Sequence, residues 1–175
     1  MSGPDTRRLF VALWPPAQIV TALDRDLRGI RRDAPPSLRW QPPERWHVTA
    51  LFLGDFPVRR AITVVERAAA DIPPGAMTGG GAGCFGRVLW WGVEAPWTRD
   101  LHAAVSRWAG QPRDPRWLPH LTLARSRGAP VPPPIVSAVE GLPTRTWTAD
   151  RLRLVASTLG ADPRYDTVLE VALTG

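Results

Sequence analysis

Two short segments of the sequence combine an imidazole with a hydroxyl at the same spacing. They are His47-Val48-Thr49-Ala50 and His120-Leu121-Thr122-Leu123, and each lies in an apolar run. Because successive side chains on a strand point to opposite faces, a histidine and a threonine two positions apart share one face, roughly 7 Å from each other. Each segment therefore predicts a strand that presents both groups to the same surface.

This pairing suits the opening of a cyclic phosphodiester. The reaction needs a base that deprotonates water and an acid that protonates the departing ribose oxygen, on opposite sides of phosphorus. The unperturbed pKa of histidine, about 6.5, allows either role near neutral pH. We therefore predict that His47 and His120 form the acid–base pair. Thr49 and Thr122 would donate hydrogen bonds to the non-bridging oxygens, where charge builds in the transition state.

A single His-x-Thr on a strand has an ordinary structural interpretation as well. A histidine on a half-buried face usually forms a hydrogen bond with a neighbour and has no further role. Here the motif occurs twice, once in each half of a chain that contains only three histidines. The repetition favours the catalytic interpretation.

Arg125, directly after the second motif, is a candidate phosphate ligand because its planar guanidinium can bind two oxygens at once. Strict alternation, however, places it on the face opposite His120, five positions earlier. It reaches the site only if the strand bulges or ends first. A surface or structural arginine is the alternative.

Three aromatic residues are candidates for stacking on a nucleobase, as sites for single-stranded nucleic acid often require: Trp40, Phe52 and Tyr165. An aromatic residue in an apolar run lies more often in the hydrophobic core, which is the alternative for each. Alternation assigns Phe52 to the face opposite His47 and Thr49, so only Leu51 and Leu53 continue the face of that motif.

No metal or cofactor site is expected. A zinc site built from Cys84 and the histidines would need ligands at short spacing, and the sequence has no such cluster. His102 lies beside the apolar stripe of a helical segment and is expected to be solvated or to cap the helix. The glycine-rich run at 79–83 lacks the Lys-Ser/Thr of a phosphate-binding loop.

The basic residues have an unusual composition. All 22 are arginine, and their excess over 16 acidic residues gives a net charge of +6. This favours a polyanionic partner such as nucleic acid, although codon bias accounts for the arginines equally well. Without lysine, the chain cannot use a Walker lysine or a Schiff-base lysine.

Several features favour a cytoplasmic protein. No apolar run reaches the roughly 18 residues that a membrane span requires, so no membrane association is expected. Residues 1–6 have neither a basic nor an apolar segment of a signal peptide. The single cysteine cannot form an internal disulfide, which is typical of a reducing compartment.

The elements that must position the motifs follow from hydrophobic periodicity. Apolar residues recur at helical spacing in four segments, and β-rich runs lie between them, so we predict an α+β fold. The predicted helices cover residues 19–30, 62–72, 97–108 and 131–139. The predicted strands cover residues 8–13, 47–53 (ending at Gly54-Asp55), 84–86, 88–93, 120–125, 151–155 and 168–173. Residues 33–45 are expected to be a proline-rich connection, and 79–83 a flexible lead into a hairpin.

Five segments together resemble the 2H phosphoesterases, and within them the RNA 2′,3′-cyclic phosphodiesterase branch, historically called 2′-5′ RNA ligase. They are RLFVAL near the start, HVTALFLG, GRVLWWGV, HLTLAR and the late STLGADPRYDTVLEV. The likeness spans nearly the whole chain. One departure is Ala50, where such motifs often carry a larger aliphatic residue.

The resemblance implies a bilobal, LigT-like fold, with two antiparallel sheets forming a central groove and helices outside. Residues 1–175 would be a single domain with a pseudo-repeat, one motif per half (47–50 and 120–123). It also implies metal-independent hydrolysis of a terminal 2′,3′-cyclic phosphate to a 2′-phosphomonoester, with 2′-5′ RNA ligation as the reverse reaction. His47 would protonate the 3′-oxygen and His120 would activate water. We expect a monomer that acts on RNA 3′ ends or on nucleotides.

Two alternatives stay open at this point. The same chemistry fits a small cyclic nucleotide or an ADP-ribose cyclic phosphate, because the sequence does not locate the base-contacting residues. A non-catalytic RNA-binding or nucleotide-binding module could also use this fold. The presence of both histidines and both threonines argues against a module without turnover.

Overall fold

The computed structural model describes residues 5–158 and 164–175, so part of the late STLGADPRYDTVLEV segment lies outside the described residues. Nine strands and four helices are described. The strands are β1 (Thr6–Leu13), β2 (Leu38–Trp40), β3 (Val48–Pro57), β4 (Gly75–Phe85), β5 (Val88–Glu94), β6 (His120–Ser126), β7 (Arg145–Ala149), β8 (Arg151–Thr158) and β9 (Arg164–Ala172). The helices are α1 (Ala17–Asp33), α2 (Val58–Asp71), α3 (Thr98–Ala109) and α4 (Pro133–Glu140), and a 3₁₀ turn covers Pro43–Arg45.

The strands form two antiparallel sheets, each of which carries one motif. The first sheet has the order β3-β1-β8-β9 and the second has the order β2-β6-β5-β4-β7. His47 directly precedes β3, and His120 opens β6. The α+β class and the two antiparallel sheets are therefore confirmed.

The helices bury one apolar stripe each. In α1 the buried residues are Ile19, Leu23 and Leu27, at the spacing of one helical face. The last turn of α3 ends at Gly110, whose φ of 70° lies in the left-handed region that favours glycine at a helix C-terminus. All four helices begin and end within a few residues of the predicted segments.

The glycine-rich run at 79–83 is part of β4, so the prediction of a flexible lead was wrong. Its glycines leave room for two indole rings on β5. A Cβ atom at Gly79 would lie 2.1 Å from Trp91 Cζ3, and one at Gly83 would lie 2.2 Å from Trp90 Cζ2. The run is rich in glycine because tryptophans pack against its backbone, and Gly79, Ala82 and Gly83 still pair with β5.

Three strand predictions also need correction. β3 does not stop at Gly54-Asp55 but continues to Pro57, because Gly54 takes a φ of 70° at a register shift opposite β1 and the pairing resumes beyond it. β2 forms inside the predicted proline-rich connection, and β7 was missed. Both are short edge strands of the second sheet, which need little apolar patterning of their own.

Candidate active site

The two motifs face each other across one groove of about 400 Å³, a size suited to a small ligand. The groove brings together seven of the predicted site residues and several others. Its lining consists of Gln41, Arg45, His47, Thr49, Ala50, Leu51, Phe52, Phe85, Val88, His102, Asp114, Trp117, His120, Thr122, Arg125 and Tyr165.

Each motif histidine is held by the backbone two residues before it. His47 Nδ1 lies 2.6 Å from the carbonyl oxygen of Arg45, and His120 Nδ1 lies 2.7 Å from that of Leu118. A carbonyl oxygen only accepts, so each Nδ1 carries the proton and donates. In the neutral form, Nε2 of each ring is then the free base. Both imidazoles are thus set to exchange a proton through Nε2.

A bulge in β3 shapes the first motif. Thr49 pairs with Ala12 and Leu51 pairs with Val11, so Ala50 is an extra residue without a partner of its own on β1. One extra residue reverses the alternation beyond it and returns Phe52 to the face of Thr49. The predicted opposite face for Phe52 was therefore wrong. Its ring is 63% exposed in the groove.

The second motif contains a bulge at the corresponding position. Thr122 pairs with Trp90 and Ala124 pairs with Leu89, which leaves Leu123 as the extra residue. Arg125 consequently lies on the groove face with Thr122, and not on the opposite face that strict alternation assigns. Each motif thus presents a histidine, a threonine and the residue five positions after the histidine.

Among the described residues, neither Thr49 nor Thr122 has a hydrogen-bond partner for its hydroxyl, so both can donate to a bound phosphate. Arg125 forms no ion pair within the same described part of the chain. The groove therefore collects hydrogen-bond donors and positive charge, as an anion site requires.

Aromatic rings surround His47. Its imidazole stacks on Phe10 at 4.9 Å and on Trp14 at 4.7 Å between centroids, and Tyr165 meets it edge-on at 5.6 Å. His120 lies in a looser aromatic setting, 5.2 Å from Phe85 and 6.1 Å from the ring of Trp90. The rings restrict both imidazoles to one orientation.

This environment lowers the pKa of both imidazoles. Burial lowers the pKa of His47 to about 4, and the positive charge of His120 acts in the same direction, while the hydrogen bond to Arg45 opposes it. Burial also lowers the pKa of His120, with a further contribution from the guanidinium of Arg125. In the free protein both rings are neutral at pH 7.

Of the other candidate residues, Trp40 and Cys84 lie outside this groove. Trp40 packs against the core beneath the guanidinium of Arg31 and does not line the groove. Tyr165 does line it, but Cys84 is exposed elsewhere on β4. Within residues 5–158 and 164–175, no group of three or more potential ligands is placed to hold a metal ion, and no helix is long and apolar enough to cross a membrane.

His102 is neither solvated nor a helix cap, contrary to expectation. It is 2% exposed, and both ring nitrogens have backbone partners. Sequence reasoning also missed Phe85 and Trp117, which line the groove. Phe85 is 50% exposed and directly precedes Gly86, in the turn between β4 and β5. Nothing in this local sequence indicates a function.

Residues 14–161 match the family model described as the 2′-5′ RNA ligase superfamily. The chain belongs to this superfamily. A curated superfamily relative from Thermus thermophilus, named RNA 2′,3′-cyclic phosphodiesterase, is 31% identical, over 93% of this chain and 88% of its own length. A protein of the same name from Geobacillus stearothermophilus is 28% identical over 95% of this chain, which spans only 57% of that relative.

The superfamily fold is also found in a solved structure, E. coli LigT complexed with 3′-AMP. It has a TM-score of 0.76 and 24% identity, and it covers 98% of this chain and 100% of LigT. The LigT-like architecture expected from the sequence is thereby confirmed.

Proposed function

We propose that the protein is an RNA 2′,3′-cyclic phosphodiesterase that opens terminal cyclic phosphates to 2′-phosphomonoesters by two-histidine catalysis without a metal. The observation that carries this is the pair of His-x-Thr strands on opposite walls of one groove, each with its histidine Nδ1 bonded to a carbonyl. The two relatives named RNA 2′,3′-cyclic phosphodiesterase support the same chemistry.

The reaction needs one proton removed and one supplied. One imidazole takes a proton from water through Nε2, and the oxygen attacks phosphorus. The bond from phosphorus to the 3′-oxygen breaks, and the other histidine, in its protonated form, donates a proton to that oxygen. The products are a 2′-phosphate and a 3′-hydroxyl. Thr49, Thr122 and Arg125 bind the non-bridging oxygens, whose charge grows in the transition state.

We assign leaving-group protonation to His47 and water activation to His120, the order that the family resemblance implies. Because the pKa of His47 is about 4 in the free protein, this acid acquires its proton together with the substrate. A bound phosphate anion favours the protonated form of a neighbouring imidazole. The anion is thus both the substrate and the cause of the active protonation state.

The preferred substrate is an RNA 3′ end, with Phe52 and Tyr165 placed to stack on the terminal base. Both rings are exposed on the same wall as His47. Stacking of this kind accepts any of the four bases, because every base has an aromatic face. Small cyclic nucleotides and ADP-ribose cyclic phosphates share the reacting group and are the second candidate. The reverse reaction would be 2′-5′ ligation.

The decisive experiment measures turnover of a short RNA that ends in a 2′,3′-cyclic phosphate, in EDTA, by wild type, His47→Gln and His120→Gln. We expect a 2′-phosphate product from wild type and a loss of at least about a hundredfold in each variant. An Arg116→Ala variant, changed at an exposed surface position, is the control. Binding without ring opening would favour a nucleotide-binding module, and inhibition by EDTA would contradict the metal-free scheme.

A second substrate separates the two histidine roles. If the 3′-oxygen is replaced by sulfur, the leaving thiolate needs no general acid. The variant that lacks the acid should then recover activity, whereas the variant that lacks the base should not. Recovery of His120→Gln in place of His47→Gln would reverse our assignment.

A further inference from the structure

Two side chains behind the first motif hold the backbone of its bulge. His102 Nδ1–H donates to the carbonyl oxygen of Ala50 at 2.7 Å, and the indole N–H of Trp117 donates to that of Thr49 at 3.1 Å. These are consecutive carbonyls at the point where β3 leaves regular pairing with β1. The hydrogen bonds therefore act on the segment that sets the direction of the motif side chains.

The two donors are themselves fixed. The rings of His102 and Trp117 stack with centroids 4.9 Å apart and planes within 4°. His102 Nε2 accepts the backbone N–H of Asp114 at 3.2 Å. Because both nitrogens of His102 are engaged with backbone groups, this histidine has no free proton or lone pair for a substrate, although it borders the groove.

A bulge frees backbone groups that a buried site must satisfy by other means. In the second motif, the carbonyl of the extra residue Leu123 accepts the backbone N–H of Gln41 at 2.8 Å. That bond is independent of side-chain identity. In the first motif, the imidazole of His102 and the indole of Trp117 bond the carbonyls of the bulge instead. Substitution of either residue can therefore change the bulge while the motif residues stay the same.

We propose that His102 and Trp117 are positioning residues for the active site, acting by fixing the bulge at Ala50. The bulge keeps Phe52 on the face of Thr49, and a return to regular alternation would turn Phe52 to the opposite face. This inference rests on the proposed function, since it concerns the same site. It assigns roles in catalysis to two residues that do not contact the reacting atoms.

Three variants test the two donors. His102→Phe keeps a ring to stack on Trp117 but loses both hydrogen bonds. His102→Asn carries an amide N–H near the position of Nδ1 and can retain the bond to Ala50. Trp117→Phe keeps an aromatic ring to stack on His102, is smaller than indole and loses the N–H.

The matched control is Trp97→Phe. Trp97 Nε1–H donates to the carbonyl oxygen of Ala76 on β4 at 2.7 Å, so this variant loses the same kind of bond outside the groove. The readouts are kcat on the cyclic-phosphate RNA, well below the melting temperature of each variant, and the melting temperature itself.

We expect His102→Phe and Trp117→Phe to lower kcat by about 10- to 100-fold, the range typical of supporting groups around a site. His102→Asn should recover most of that loss, and Trp97→Phe should stay within about twofold of wild type. If His102→Phe and Trp117→Phe lower only the melting temperature, as the control does, the two residues are purely structural and the proposal is wrong. Because Trp117→Phe is the mildest change, it decides the matter if His102→Phe does not fold.

A measurement without turnover separates this inference from the proposed function. The ¹⁵N resonances of the His47 ring and the backbone amide of Phe52 report the bulge directly. We expect both to shift in His102→Phe and to stay unchanged in Trp97→Phe, whether or not wild type opens the cyclic phosphate. Unchanged resonances in His102→Phe would overturn the positioning role even in an active enzyme.

Discussion

At the scale of single residues, two chemically identical imidazoles share one hydrogen-bonding pattern but have different neighbours. Both donate Nδ1–H to a carbonyl and present Nε2 to the groove. They differ in their surroundings, since His47 stacks on both Phe10 and Trp14, whereas His120 contacts Phe85 and Trp90 at the edge or at an angle. Burial lowers the pKa of both rings, although the aromatic residues around each ring differ.

The lowered pKa of His47 makes folding sensitive to acid. Between pH 6.5 and about 4, the unfolded chain binds a proton at this residue and the folded chain does not. The free energy of unfolding therefore falls as the pH decreases through this window, by up to about 3 kcal/mol from this residue. His47→Gln should lose less stability than wild type between pH 7 and pH 4, measured by urea unfolding at each pH. Equal losses in the two proteins would show that His47 is not the cause.

The threonine hydroxyls provide a second test at this scale. Thr49→Val and Thr122→Val keep the side-chain shape and remove a donor to the phosphate oxygens. We expect each to lower kcat by about 10- to 1000-fold with little change in the free energy of unfolding. Thr78→Val is the control, because its hydroxyl bonds that of Thr146 away from the groove. Comparable losses of kcat in all three variants would rule out a specific role.

At the scale of elements, irregularities of the strands decide what reaches the groove. The bulges at Ala50 and Leu123 bring Phe52 and Arg125 onto the faces of their motifs. Alternation alone predicts the opposite for both residues. The glycines of β4 are a third irregularity, since they let Trp90 and Trp91 pack directly on the backbone of the neighbouring strand.

The packing on β4 predicts that a single added methyl group at Gly79 lowers the free energy of unfolding substantially. Gly79→Ala would place Cβ 2.1 Å from the ring of Trp91, which is fully buried and cannot move aside. We expect a loss of about 1–3 kcal/mol in the free energy of unfolding. Gly29→Ala is the matched control, because it lies on the exposed side of α1 with no atom within 4 Å. Alanine there should stabilise the protein by up to about 1 kcal/mol, as helix propensity dictates; equal effects at both positions would contradict the packing argument.

At the scale of the whole molecule, the fold joins two sheets so that one histidine comes from each. Acid–base catalysis by such a pair requires one ring protonated and one neutral at the same time. The dependence of rate on pH therefore reports on both sheets together.

We expect bell-shaped profiles with different optima for kcat/KM and kcat. The kcat/KM profile reflects the free enzyme, in which both imidazole pKa values are lowered, so its optimum should lie between about pH 4 and 6.5. The kcat profile reflects the complex, in which the phosphate anion raises both values and shifts the optimum upward. Rates measured from pH 3.5 to 9 check this, and a profile that is flat over that range would exclude the histidine pair.

The sequence alone determined the class of fold and indicated the chemistry that we propose. The repeated His-x-Thr predicted four residues that line the groove, because strand periodicity places such a pair on one face. The helices followed from their apolar stripes, and the antiparallel two-sheet architecture followed from the family resemblance. These are local or family-wide properties, so they can be read from residue order.

Tertiary structure decided the rest. Whether Arg125 and Phe52 face the groove depends on pairing with β5 and β1, which no local pattern records. The burial of His102 and its bonds to Ala50 and Asp114 join segments distant in sequence. The lowered pKa values of the two motif histidines depend on burial among rings that β1, β9 and β5 bring against them. Each of these is a long-range contact, and its energy exists only once the sheets have assembled.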